Sequence, residues 1–293
     1  MTDIGDVSVV CDIRFELGEG PSFDPASGIL WWFDIVNRKL AEMKPGTGTV
    51  TIHSLPFMAS AIARIDARRQ LLVAEDGLYI RDATSGSLSL HVSLEEDNHA
   101  TRSNDARVHP SGAFWIGTMG KMAEKHAGSI YWHYRGELRK LYSDITIPNS
   151  ICFSPDGGIA YFADSAGGKL MKVGCDPATG LPTGEPELFF DNRGVEGGLD
   201  GSVCDGDGVV WNARWGGAAL DAYSPDGALL RTVDLPVRQP SCPAFYGHDA
   251  NRIALTSAWQ NMSASEREAD PLGGCLLDAG ITVKGRFEPD AAV

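Results

Sequence analysis

One turn-and-strand unit recurs along this chain at intervals of 41–51 residues, and a period of that length leaves few folds open. Asp24, Asp66, His109, Ser154, Asp205 and Tyr246 mark equivalent turns. The dense apolar run 29–35 follows the first of them, and its counterparts are 114–117, 159–163, 209–213 and 252–256. Each run is bounded by Gly, Pro, Asp or Asn turns, the pattern of strands buried on both faces. Helical periodicity is not sustained anywhere, and only 263–269 is predicted to form a short surface helix. Repeated units of several short strands predict an all-β chain: a six-bladed β-propeller with four-stranded antiparallel blades around a central channel, residues 1–293 forming a single domain. Trp31, Trp32, Trp115 and Trp211 fall in the strand after each turn and are expected to pack neighbouring blades together.

A polar residue stands five positions before four of those turns: Glu19, Asn104, Asn149 and Asp200. The two remaining units carry Ala61 and Ser241 there, so the polar character does not come from the repeat itself. Around a pseudo-symmetry axis, equal offsets bring side chains to one place. Glu19, Asn149 and Asp200 would supply two carboxylates and an amide oxygen, a set suited to one divalent cation with positions left for water and substrate. Calcium, magnesium, manganese, zinc and ferrous iron all remain open. Gly18 and Gly20 around Glu19, Pro148 before Asn149 and Gly201 after Asp200 predict sharp bends that turn these groups inward.

The net charge of −14 is dispersed, which argues against nucleic acid and anionic membrane as partners. Monomer or weak homo-oligomer is the expected state. The six cysteines show no paired short spacing, and residues 1–6 with the apolar run 7–10 resemble neither a secretory signal nor a membrane span. Reduced core cysteines in a cytoplasmic protein are therefore expected. No Gly-x-Ser-x-Gly elbow occurs. His109 reads as a solvated turn residue, and His248 reads likewise, although its unit has loops that could reach the channel.

The series Leu17-Gly-Glu-Gly-Pro21, Arg102-Ser-Asn-Asp105, Gly117-Thr-Met119, Ile147-Pro-Asn149, Ser154-Pro-Asp-Gly157, Tyr161-Phe-Ala-Asp-Ser165, Leu199-Asp-Gly201 and Leu235-Pro-Val237 resembles the senescence marker protein, gluconolactonase and luciferin-regenerating enzyme family. The resemblance implies a divalent cation on Glu19, Asn149 and Asp200, with substrate hydroxyls held by Arg102 and Asn104 and with Asp105 beside them. It also implies hydrolysis of an aldonolactone such as xylonolactone, arabinolactone or gluconolactone. A cation could polarise the lactone carbonyl and activate water, with Asp200 as general base. Met119 is expected to add an apolar wall and Trp215 a ring that stacks on a sugar face. Where the family's sugar-binding branch has an acidic residue three positions after this Met, the chain has Met122, preceded by Lys121. The same fold also serves phosphotriester hydrolysis and non-catalytic calcium binding, and both stay open at this point.

Overall fold

The computed structural model describes residues 7–293. The reading of the amino terminus as no signal rests on residues 1–6, which lie outside the described residues. Six four-stranded antiparallel sheets follow one another along the chain and form a β-propeller. In the first blade Gly18–Asp24, Ile29–Asp34, Lys39–Met43 and Val50–Ser54 run outward from the axis. The inner strands of blades 2 to 6 are Ala59–Arg64, Thr101–Val108, Pro148–Phe153, Gly198–Cys204 and Pro240–Tyr246. Each inner strand packs on that of the next blade, and the last packs on the first. Blade 6 is completed by Ser8–Cys11, which pairs with Leu276–Asp278, so both ends of the chain share one sheet.

The second strands Phe114–Gly120, Ile159–Asp164, Val210–Trp215 and Arg252–Ser257 start within a residue of the expected runs and extend beyond them. Their large side chains fill the space between blades. Trp115 is wholly buried against Phe153 and Phe162 of blade 4, and its indole N–H donates to the Gly180 carbonyl at 2.9 Å. The one α-helix among the described residues, Ala264–Ala269, is capped reciprocally by Ser263 and Glu266. It is not long or apolar enough to cross a membrane. All six cysteines are buried and none is in a disulfide.

Every inner strand carries a register shift near its start: between Glu19 and Ser22, Ala59 and Ala61, Ser103 and Ala106, Asn149 and Cys152, Leu199 and Ser202, and Pro240 and Pro243. A bulge adds twist and re-aims the side chains beside it. The bulged segments are stitched to their neighbours by serines. Ser60 Oγ donates to Ser103 Oγ at 2.8 Å, Ser150 Oγ to the Asp200 carbonyl at 2.6 Å, and Ser241 Oγ to the Gly18 carbonyl at 2.5 Å. Gly20 sits in its bulge at φ +53°, where an added Cβ would lie 1.9 Å from the Ser60 carbonyl oxygen.

The end of the ring where the inner strands begin is the bulged end. The opposite end is closed by the carboxy-terminal segment after Asp278, which has no regular structure yet touches all six blades. Val283 N–H donates to the Asn251 carbonyl, Gly206 N–H to the Lys284 carbonyl and Ala291 N–H to the Arg64 carbonyl. Arg286 donates to the Cys204 and Phe153 carbonyls, Ala292 exchanges backbone bonds with Gly112 and Arg135, and Phe287 packs on Phe23.

Between blades 2 and 3, His91 and His133 meet edge to face with ring centroids 5.2 Å apart, and neither ring nitrogen of His133 has a hydrogen-bond partner. Burial, and then the neighbouring His91, push the His133 pKa down from 6.5 to about 4. The unfolded chain therefore takes up this proton near pH 6.5, whereas the folded chain does so only near pH 4. Stability is expected to fall as pH drops through that window, and His133→Leu should remove part of the fall. Denaturant unfolding at neutral and acidic pH checks this, and identical pH dependence in the two proteins would contradict it. Gly20→Ala is expected to destabilise the fold by more than about 2 kcal/mol, because the close backbone approach and positive φ both exclude a side chain. Thermal or denaturant melts would show it.

Candidate metal and active site

The bulged end of the ring gathers the polar residues singled out by their offset. Arg102 Nη1 donates to Asn104 Oδ1 at 2.8 Å and to the Ser103 carbonyl at 2.8 Å. Asn104 Nδ2 donates to Asn149 Oδ1 at 2.8 Å and to the Pro148 carbonyl at 3.0 Å, crossing from blade 3 to blade 4. Asn149 Nδ2 donates to Ser165 Oγ at 2.9 Å, and Ser165 passes the connection to the Leu199 carbonyl in blade 5 at 2.6 Å. Arg102, Asn104, Asn149 and the strand carrying Asp200 are thus one continuous network. The Asp200 carbonyl itself accepts from Ser150 Oγ and from Asn212 Nδ2 at 2.9 Å, so the backbone there is fixed, and the carboxylate accepts a backbone hydrogen bond from Gly201.

Glu19, Asp105 and Asp200 are all buried and sense one another's charge. Burial first, and then the charge of Asp105, raise the Glu19 carboxyl far above the usual carboxylate range. Burial, followed by Glu19 and Asp105, does the same to Asp200. Arg102 is the nearest compensating cation for both, and burial lowers its own pKa to about 10 against the pull of Glu19 and Asp200. Neither Glu19 nor Asp200 has an ion-pair partner within 4.0 Å among the described residues. Glu19 accepts only the N–H of Gly20, at 3.1 Å.

Asp105 is placed differently. Its Oδ2 accepts the Ile151 N–H of blade 4 at 2.7 Å, and its pKa is raised to about 6 by burial, opposed by Arg107. Met119 pairs across the sheet with Arg102 and is buried beside it. Trp215 ends the second strand of blade 5, is half-buried, and packs on a cluster containing Leu17, Phe57 and Ala258.

The donor set suits a hard divalent cation, because two buried carboxylates lack an ion-pair partner among the described residues and Asn149 turns its amide oxygen toward Asn104. No three His, Cys, Asp or Glu side chains among the described residues form a metal cluster, and the candidate set is mixed, with an amide in place of a third charged group.

One sequence expectation needs correction, that for His109, while His248 is the solvated turn residue expected. His109 is wholly buried rather than solvated: its ring nitrogens meet Ser111 Oγ and the Gly157 carbonyl at 2.9 Å, and it packs edge-on against Phe153. The turn is built around the imidazole because the next blade covers it. His248 lies in the turn between the inner and second strands of blade 6, at the far end of the ring, 96% exposed and paired with Asp249, so it does not reach the channel. Lys121 bridges to Glu75 of blade 2, and Met122 is 83% exposed.

Sequence reasoning missed three residues. Ser165 links Asn149 to blade 5. Glu95 accepts from Thr101 Oγ1, Thr118 Oγ1 and Tyr131 OH at 2.6, 3.0 and 2.7 Å, clamping the residues next to Arg102 and Met119. Arg107 is buried in the channel below Asp105. Its only sequence signal was a lone cation in an otherwise apolar stretch, Ala106-Arg107-Val108.

Residues 17–259 match the family model described as "SMP-30/Gluconolactonase/LRE-like region". The chain is 52% identical to a putative sugar lactone lactonase of Rhizobium meliloti (strain 1021), with 99% of each chain covered. It is 32% identical to L-arabinolactonase of Azospirillum brasilense, covering 94% of this chain and 92% of that one. The crystal structure of a calcium-binding protein, regucalcin, from Agrobacterium tumefaciens str. C58 superposes with a TM-score of 0.97 at 50% identity, covering 99% of this chain and 98% of that one. The bulged six-bladed ring, the conjunction of Glu19, Asn104, Asn149 and Asp200 at one end, and the match over most of its length place this chain in the SMP-30/gluconolactonase/LRE-like family.

Proposed function

We propose that the chain is a divalent-cation-dependent sugar lactonase that hydrolyses an aldonolactone to its aldonic acid. The observation that carries this reading is the pair of buried carboxylates, Glu19 and Asp200, without ion-pair partners, beside a hydrogen-bonded line of Arg102, Asn104 and Asn149. Glu19, Asn149 and Asp200 would hold the cation. When bound, a divalent cation supplies Lewis acidity toward an ester carbonyl.

The chain's own residues do the rest. Hydrolysis adds water to the lactone carbonyl and breaks the ring acyl–oxygen bond, leaving a carboxylate, a hydroxyl and one released proton. Asp200 is the assigned acceptor for the proton of the attacking water. Arg102 uses Nη1 within the protein, which leaves Nη2 and Nε for substrate oxygens and puts positive charge where the oxyanion develops. Asn104 gives both its amide donors' direction to blade 4, so it orients Asn149 as well as offering its oxygen to a sugar hydroxyl. Asp105 fixes the Ile151 backbone beneath Asn149, Met119 walls the Arg102 side, and Trp215 offers an apolar face at the end of the blade 5 strand.

The polar lining supports a polyhydroxylated substrate over a phosphotriester, which needs an apolar pocket. The relatives named as lactonases support the sugar lactone, and the resemblance to L-arabinolactonase favours a pentonolactone. Proton release on adding pentono- and hexonolactones is expected to exceed spontaneous opening, to stop with chelator and to return with a divalent cation. No acceleration with any sugar lactone would sink the reading. Asp200→Asn is expected to lower kcat at least ~1000-fold and to lose the cation, while Asn104→Ala should raise KM about tenfold and loosen cation retention. Steady-state kinetics with elemental analysis separates the two, and full activity in Asp200→Asn would contradict the assignment.

A further inference from the structure

The channel holds a second arginine that the proposed chemistry does not use. Arg107 lies two residues beyond Asp105 on the same inner strand, and each feels the charge of the other. The guanidinium is buried. Its Nη2 donates to the Ser202 carbonyl at 3.2 Å, to Cys242 Sγ at 3.4 Å and to the Pro243 carbonyl at 3.5 Å, and its Nε has no partner. Its Nη1 meets the carboxylate of Glu288, which arrives on the carboxy-terminal segment from the far end of the ring. No other carboxylate lies within ion-pair distance of Arg107 among the described residues.

A buried guanidinium at that depth lies within electrostatic reach of Glu19 and Asp105. Left to itself, it would offset the negative charge that a cation needs. Burial works most strongly against charge on Arg107, and Glu288, Cys242 and Asp105 together outweigh it and raise the arginine's pKa, with Glu288 the foremost of the three. The tail is tied down on both sides of this carboxylate: Arg286 and Phe287 before it hold blades 5, 4 and 1, and Asp290, Ala291 and Ala292 after it hold blades 2 and 3.

We infer that Glu288 is a positioning residue for the channel cation: by holding and neutralising Arg107 from the far end, it keeps the potential at Glu19, Asp105 and Asp200 negative enough to bind a divalent ion. This rests on the proposed cation site at Glu19, Asn149 and Asp200. The carboxy-terminal segment then has a role in the site without touching substrate.

The test is calorimetric titration of chelator-stripped full-length protein with Ca²⁺ alone and, in parallel, Mn²⁺ alone, with thermal melts of each variant. Glu288→Gln, which leaves Arg107 uncompensated, is expected to weaken binding roughly tenfold. Arg107→Gln should tighten it, and the Arg107→Gln/Glu288→Gln double variant should return it to within about threefold of the parent. That reversal of sign is what a merely structural tail would not give. Unchanged affinity in Glu288→Gln, or equal weakening in all three variants, overturns the inference while leaving the cation site standing. If Glu288→Gln does not fold, Arg107→Gln decides: tighter binding supports the inference, and unchanged or weaker binding overturns it. Absence of Ca²⁺ and Mn²⁺ binding in the parent, or binding that persists undiminished in Asp200→Asn, overturns the cation site and this inference together.

Discussion

Two carboxylates buried without ion-pair partners set the terms for the rest of this molecule. Removing Glu19 and Asp200 from water costs several kcal/mol each even after relaxation, and no hydrogen-bond network around them removes that cost. It is offset by the six apolar clusters that lie within and between the blades, where Trp32, Trp115, Phe33, Phe114 and Phe153 are wholly buried. The core is therefore peripheral and the strain axial. A propeller suits such a division, because its packing energy comes from blade faces while the inner strand ends remain available for groups that no apolar core would tolerate.

The bulges make those groups converge. A regular strand alternates its side chains, and six regular inner strands would have turned half of their polar residues into the blades. A register shift at the same depth in each strand lets Glu19, Asn149 and Asp200 turn inward from blades with unrelated local sequence. Glycine is required where the bulge presses on a neighbour: at Gly20 against Ser60, and at Gly201, where an added Cβ would lie 2.4 Å from Cys242 Sγ.

The period of the turns made the blade count and the second strands readable from sequence, because those features repeat and repetition is a local signal. The offset of Glu19, Asn104, Asn149 and Asp200 was readable for the same reason. What could not be read was whatever depends on contacts across blades. His109 looks like any polar turn residue, and it is Phe153, Gly157 and Gly180 of the next blade that cover it. Ser165 ends one of the quoted motifs without a sign of its role, and becomes part of the site by bridging Asn149 to Leu199. Arg107 and Glu288 stand 181 positions apart, with no shared motif to connect them.

The strand Ser8–Cys11 and the segment Leu276–Asp278 lie side by side in blade 6. During synthesis the first of these leaves the ribosome long before the second exists. Blades 1 to 5 can collapse as they emerge, but the ring has an open seam until residues 276–278 have been made, and an exposed sheet edge is an invitation to pairing with the wrong chain. Closure of the ring waits on residues 276–278, and until they arrive the strand Ser8–Cys11 has no partner in its blade.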